Sequence, residues 1–234
     1  MDKCSYFIVG TDTEIGKTLI ASTLLYALTQ TGMRTAGMKP VAAGAELRDG
    51  IWHNDDADAL AAQASVHLPV ALATPYLFHQ PTAPHIAAAL EMRTIELPHI
   101  LNCYQQISAQ ADAVVVEGVG GFCVPLNDDH DTADLAQQLN LPVVLVVGLR
   151  LGCISHALLT VEAIAARGLT LAGWVINTVD ASMLNSDATI AALTSRIAAP
   201  LLGHVPRLSN AKAESAAPYL CFSHLSGWPL GATK

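Results

Sequence analysis

Charged side chains are scarce in this chain, 14% of 234 residues, and only 12 residues are Lys or Arg. With a formal net charge of -8 and no basic run, the sequence lacks the positive footprint that a nucleic-acid partner requires. Long apolar runs are missing too. The longest, such as Leu141 to Leu149, stop well short of the roughly 20 residues that span a bilayer. The N-terminus enters a strand pattern almost at once, without the charged, apolar and small-residue sections of a signal peptide, so the chain reads as soluble and cytoplasmic. Neither nucleic acid nor membrane is an expected partner. Cysteines are few and scattered (Cys4, Cys103, Cys123, Cys153, Cys221), odd in number and without a C-x-x-C pair, which fits reduced thiols serving as small buried hydrophobes. The nine histidines form no H-E-x-x-H pair and no Cys/His quartet, so no zinc site is expected, and the G-x-S-x-G elbow of a serine hydrolase is absent.

What the chain does have is apolar material, 52% of its residues, enough for a core covered on both faces. β-rich runs recur at Tyr6 to Val9, Thr35 to Lys39, Ala113 to Glu117, Val143 to Val147, Gly173 to Asn177 and Leu202 to Val205. Helical patterns lie between them. Periodicity is clearest from Lys17 to Thr31, closed by Gly32, and from Ile154 to Arg167, closed by Gly168. Weaker helix candidates run over Ala57 to Ala64, Leu97 to Gln110, Thr132 to Leu139 and Asp187 to Ile197. The alternation predicts an α/β fold with a doubly wound, mostly parallel sheet and helices on both faces. Val114 to Val116 and Val143 to Val147 are apolar without alternation, as central strands buried on both faces must be. Leu68 to Pro84 reads as an ordered insertion or loop. One domain over residues 1–234 is expected, with a loosely ordered tail after Ser209, where no period is visible.

Between the first strand and the first helix stands Gly10-Thr11-Asp12-Thr13-Glu14-Ile15-Gly16-Lys17-Thr18. A phosphate loop normally has four residues between its first glycine and the Gly-Lys-Ser/Thr triplet. Here five separate Gly10 from Gly16, and Thr11 falls where the first glycine would be, so the loop is a variant. Its mechanics persist: backbone N–H groups around Glu14 to Thr18 face a β-phosphate, and the helix N-terminus adds positive potential. Lys17 then neutralises β and γ oxygens, and the Thr18 hydroxyl ligates magnesium. A dinucleotide reading is weak, because Gly118-Val119-Gly120-Gly121 continues as Phe122-Cys123 and fails the last position of G-x-G-x-x-G.

Further polar residues fall at the carboxyl ends of the strands, where open parallel sheets bind ligands. Glu117 closes an apolar strand and suits the magnesium of a phosphate loop; capping a helix or pairing with a lysine is its alternative. Lys39 closes the second strand, held extended by Pro40, and reaches toward a transferring phosphoryl group or an anionic acceptor, although a lone lysine more often snorkels at a surface. Asn54-Asp55-Asp56-Ala57-Asp58 puts three carboxylates at the mouth of a helix, equally suited to capping and to magnesium. Asn177 offers a hydrogen bond to a nucleobase edge, or serves as a turn residue.

Taken in order, Gly10 to Thr18, Met38-Lys39-Pro40-Val41-Ala42, Pro81-Thr82-Ala83-Pro84-His85, Val116-Glu117-Gly118-Val119-Gly120-Gly121 and Leu151-Gly152-Cys153-Ile154 closely resemble the dethiobiotin synthetase family. The resemblance runs from residue 6 to about residue 208. It implies a P-loop NTPase-like fold and an ATP- and magnesium-dependent cyclo-ligase of biotin biosynthesis. Its substrates would be ATP, carbon dioxide and 7,8-diaminononanoate (diaminopelargonate), joined through a carbamate and a carbamic-phosphoric anhydride. By position, Lys17 and Lys39 would be the catalytic cations and Thr18, Asp56 and Glu117 the magnesium ligands, with Asp55 and Asp58 as alternatives. The nucleotide would lie on Glu14, Ile15, Gly16, Lys17, Thr18 and Leu19, on Asp56, and on Glu117, Gly118, Val119 and Gly120. Asn177, Thr178, Pro206, Arg207 and Leu208 would flank its adenine. Relatives are homodimers with sites at the interface, so Gly152 and Ser155, opening a helix, would meet the substrate carboxylate of the neighbouring subunit, and Lys39 the reacting end. Two positions depart from the family: Ala43 stands where many relatives have a hydroxyl residue, and Ser155 where many have asparagine. The alternative is a partitioning-type nucleotide switch, a class with a second lysine five residues before the loop lysine; Asp12 occupies that position here.

Overall fold

The computed structural model describes residues 4–229. Six parallel strands form the central sheet: β1 (Tyr6–Gly10), β2 (Thr35–Met38), β3 (Ala113–Glu117), β4 (Val143–Leu149), β5 (Leu171–Thr178) and β6 (Leu201–Val205), in the spatial order β6-β5-β4-β1-β3-β2. All six match the β-rich runs, Ala113–Glu117 at both ends and the other five with one or both ends shifted by a residue or two. β4 carries no alternation because all seven of its residues are buried. Winding proceeds from β1 toward β2 and then reverses toward β6, so the reversal lies between β1 and β4.

Successive side chains of a strand point to opposite faces, and two cores result. Phe7, Val9, Val114, Val116, Val143, Leu145 and Val147 meet buried residues of α3 (Leu97–Gln110), α4 (Thr132–Leu139), α5 (Cys153–Ala166) and α6 (Ser186–Thr194). Tyr6, Ile8, Ala113, Val115, Val144 and Val146 meet α1 (Lys17–Gln30) and Leu60 of α2 (Asp55–Gln63). The helix stops follow from conformation: Gly32 and Gly168 have φ of 85° and 68°, which side-chain-bearing residues rarely adopt.

Three regions differ from the sequence reading. Glu46–Arg48 and Ile51–His53 pair as an antiparallel hairpin across Asp49-Gly50, both residues at positive φ, a turn that suits the twist of a two-residue hairpin. Within the stretch Leu68 to Pro84, a short helix Val70–Ala73 precedes Tyr76–Leu77, which pairs in parallel with Val41–Ala42, and the helix Pro84–Leu90 follows. The tail is the main correction. After Ser209 the chain packs: Ala213–Ala216 is helical, Ala216, Phe222 and Leu225 join the α1 core, Cys221 N–H donates to Leu202 O at 2.8 Å, and Tyr6 Oη donates to Ser226 O at 2.8 Å. Spaced apolar anchors order this segment without a helical or strand period; residues 230–234 lie outside the described residues. All five cysteines are free thiols, and Cys123 and Cys221 are exposed rather than buried. Among the described residues, no helix is long and apolar enough to cross a membrane.

Candidate active site

The loop after β1 owes its shape to tight packing and two left-handed residues. Glu14 and Gly16 have φ of 58° and 90°. A Cβ on Gly16 would fall 2.3 Å from Asn177 Nδ2 at a left-handed φ, so glycine is required there, and one on Gly10 would fall 2.9 Å from both the Ile15 and Lys17 side chains, which would have to shift. Ile15 is buried, its side chain packed over Gly148 and Gly10, which anchors the loop to the sheet. Gly16 caps α1 with no side-chain bond and the first turn holds no acid, so the positive end of the helix faces outward.

Four separate segments meet at the base of this loop. Thr18 Oγ1 lies 2.6 Å from Asp56 Oδ1 and 2.8 Å from Glu117 Oε1. Lys39 Nζ donates to Glu117 Oε1 at 2.7 Å and to Gly118 O at 3.0 Å, and pairs with Asp56 Oδ2 at 3.0 Å. Lys17 Nζ donates to Asp12 O at 2.7 Å. Of the three neighbouring acids only Asp56 reaches this centre, because Asp55 is held by Arg48 at 2.7 Å and Asp58 sits 2.9 Å from His53 Nδ1. Asn54 sets α2 in place: its Oδ1 accepts the Ala57 N–H at 3.3 Å and its Nδ2 donates to Ala43 O at 3.2 Å.

Burial dominates the electrostatics. The side chain of Glu117 is fully buried and that of Lys39 is 3% exposed, whereas Asp56 remains 45% exposed. Burial pushes the Glu117 carboxyl up, and Lys39 only partly reverses this. Burial pulls the Lys39 ammonium down, but Glu117 and Asp56 together carry it above its ordinary value, so the lysine keeps its proton. Asp56 moves the other way: Lys39 and Thr18 outweigh burial and hold it below the usual carboxylate range. Lys17, desolvated and facing Lys39, is lowered to about 8.

Magnesium fits this donor set. One hydroxyl hydrogen on Thr18 cannot serve two carboxylates, Glu117 Oε2 is buried without a hydrogen-bond partner, and the donors are all oxygen, as a hard cation prefers. Among the described residues, no group of three or more His, Cys, Asp or Glu is placed to hold a metal unaided, so the threonine and a ligand's own oxygens must complete any such shell.

Above this centre opens a cleft of about 990 Å³. Glu14, Gly16, Lys17, Thr18, Lys39 and Asp56 line it, together with Glu117, Val119 and Gly120. Residues absent from the sequence reading of the site also line it: Asp12, which belongs to the loop but has no ligand role in that reading, and Cys123 and Val124, which carry no motif and arrive through folding alone. Other expected residues stand outside. Leu19 packs against the α1-side core, and Gly118 contributes a carbonyl to Lys39. Asn177 lies behind the loop, where its Nδ2 donates to Ile15 O at 2.8 Å. Thr178 Oγ1 is 2.8 Å from His204 Nε2, and Pro206, Arg207 and Leu208 follow β6, with Arg207 exposed. Gly152, at φ 93°, is the N-cap of α5, and Ser155 is exposed one turn on.

A parallel, doubly wound sheet whose first strand runs through a Gly-Lys-Thr loop into a helix defines the P-loop NTPase class of folds. The comparison with solved structures agrees. A ParA family ATPase from Chlorobium tepidum TLS superposes with a TM-score of 0.55 at 17% identity, covering 93% of this chain and 90% of that one. The MinD cell division protein of Aquifex aeolicus gives 0.52 at 13% identity, covering 88% and 83%. At such identities these likenesses concern the fold alone. A family model described as an AAA domain matches residues 5–215. Sequence relatives are far nearer: the ATP-dependent dethiobiotin synthetase BioD of Janthinobacterium sp. (strain Marseille) is 60% identical over 227 residues, 95% of this chain and 96% of that protein. Its namesake in Aromatoleum aromaticum (strain DSM 19018 / LMG 30748 / EbN1) is 57% identical over 207 residues, 88% and 92% of the two chains. The chain belongs to the dethiobiotin synthetase family, a family of ATP-dependent enzymes.

Proposed function

We propose that this cleft closes the ureido ring of dethiobiotin from 7,8-diaminononanoate, carbon dioxide and ATP. One amine of the diamine attacks carbon dioxide and loses a proton, leaving a carbamate. A carbamate oxygen attacks the γ-phosphorus, and ADP departs with the electrons of the broken bond. The second amine then attacks the carbamic carbon, inorganic phosphate leaves, and the ring nitrogen gives up its proton.

The observation that carries this reading is the convergence of Lys17, Thr18, Lys39, Asp56 and Glu117 from four segments at the floor of one cleft. A carbamate and a γ-phosphate are both anions, so their approach demands fixed positive charge and excluded water. Lys39, kept protonated by two carboxylates, supplies that charge at the reacting end; Lys17 and the loop amides supply it along the polyphosphate. Magnesium, held by Thr18, Asp56 and Glu117, would neutralise the β- and γ-phosphate oxygens. Asn177, Thr178 and the segment Pro206 to Leu208 take the adenine side. Gly152 and Ser155, at the open N-terminus of α5, receive the diamine's carboxylate from a neighbouring copy, so the working unit is a cytoplasmic homodimer of one-domain subunits that uses neither nucleic acid nor membrane. Ala43, without a hydroxyl, offers the substrate only its backbone.

The fold likeness to ParA and MinD makes a nucleotide switch the second reading. Asp12 speaks against it, being an acid paired with Arg150 where that class carries a lysine. Assay of ADP release decides: dependence on both the diamine and bicarbonate is expected. Release that ignores the diamine and responds to DNA or lipid vesicles would overturn the ligase in favour of the switch.

A further inference from the structure

Asp12 and Arg150 face each other across the line where the sheet reverses its winding. Asp12 belongs to the loop after β1, and Arg150 directly follows β4, which is paired with β1 in the register Gly10↔Val146. Asp12 lines the cleft described above, and Arg150 stands behind it on the β4 side. Arg150 Nη2 is paired with Asp12 Oδ2. The other carboxylate oxygen accepts the Thr13 N–H at 2.7 Å, and the Asp12 carbonyl accepts Lys17 Nζ at 2.7 Å. One residue thus ties the guanidinium, the loop backbone and the loop lysine. On its own side, Arg150 O accepts the N–H of Cys153, the first residue of α5, at 3.1 Å. Both side chains of the ion pair are more than a third exposed, 42% and 38%, a setting in which ion pairs add little to folding.

We propose that Arg150 is a positioning residue for the phosphate loop. By holding the Asp12 carboxylate it sets the orientation of the Asp12 peptide, and hence of the carbonyl that aims the Lys17 ammonium. It also ties this arrangement to the start of α5. The inference rests on the nucleotide-binding part of the proposed function.

The test uses the full chain with Arg150→Met, Asp12→Asn, the double variant and Arg150→Lys. ATP affinity is measured by calorimetry with magnesium, alongside KM, kcat and thermal stability. Each single variant is expected to weaken ATP binding and raise its KM by about tenfold, with a smaller change in kcat, and the double variant to be no worse than either single, since neighbours acting as one unit are not additive. Arg150→Lys should recover most of the affinity, and Tm should not move. A double variant whose loss is the product of the single losses, an Arg150→Met protein with wild-type ATP affinity, or a marked fall in Tm would each overturn the assignment. Should the wild type bind ATP without turning over the diamine, the ligase reading fails while the calorimetric cycle still decides the role of Arg150.

Discussion

Replacing Lys39 with methionine removes the cation that compensates Glu117 and nothing else of comparable size. Glu117 is fully buried, its Oε2 has no partner, and its Oε1 is shared by Lys39 at 2.7 Å and Thr18 at 2.8 Å. Breaking one partner out of a buried ion pair costs about 3–5 kcal/mol, or roughly 10 °C in Tm for a chain of this length. Burial already holds the Glu117 carboxyl above its ordinary range, and losing Lys39 lifts it further. The folded variant then keeps a proton that the unfolded chain releases. Its stability is greatest below the ordinary carboxylate pKa and declines as pH rises through the raised value. Adding Glu117→Gln removes the stranded charge, so Lys39→Met/Glu117→Gln should regain most of the lost stability while remaining unable to turn over the diamine. Denaturant unfolding at pH 5 and pH 8, paired with diamine-dependent ADP release, reads both effects. A single variant as stable as the wild type at pH 8, or a double variant no better than the single, would refute the electrostatic reasoning. Wild-type turnover in Lys39→Met would refute the catalytic role.

Other consequences are equally concrete. Gly16→Ala puts a Cβ 2.3 Å from Asn177 Nδ2 at a φ of 90°, so ATP binding measured by calorimetry should be lost; an unchanged affinity would mean that the loop tolerates a different shape. Lys17, lowered to about 8, is partly neutral at pH 8.5, and bound polyphosphate raises it again. Calorimetry in buffers of different ionisation enthalpy should therefore show proton uptake on ATP binding at pH 8.5 that vanishes at pH 7 and in Lys17→Met; uptake independent of Lys17 contradicts this. Thr18→Ala should raise the magnesium concentration required for half-maximal turnover by at least about tenfold, and an unaltered magnesium titration would remove Thr18 from the ligand set. Gly203→Ala would place a Cβ 2.1 Å from Tyr219 O, and should destabilise the protein by about 1–3 kcal/mol through displacement of the C-terminal segment, as read by limited proteolysis after residue 209.

Much of this architecture is visible in local sequence. The central strands announce themselves because a strand buried on both faces must be continuously apolar, as Val143 to Val147 is, and α1 because its period ends on a glycine that the backbone requires. The loop could be read from its glycines, its lysine and its place between strand and helix. What local sequence could not convey depends on distant partners. Choosing Asp56 over Asp55 and Asp58 on physical grounds needs Arg48 and His53, which occupy the other two acids. The link between Asp12 and Arg150 joins positions 138 residues apart. The hairpin at Glu46–His53 did carry a short-range signal, Asp49-Gly50, but its strands are three residues each and largely exposed, leaving no hydrophobic alternation to read. In the tail, Ala216, Phe222 and Leu225 are anchors whose value appears only once the α1 face exists to receive them.

The proposed ring closure turns on a bond between a carbamate oxygen and the γ-phosphorus, made on the floor of the cleft. Single-turnover reactions with ¹⁸O-labelled bicarbonate, stopped within seconds, measure it directly through the isotopic composition of the released phosphate. The account predicts that bicarbonate oxygen appears in the phosphate, in step with ring closure. Phosphate that carries no bicarbonate oxygen while ADP accumulates would contradict it.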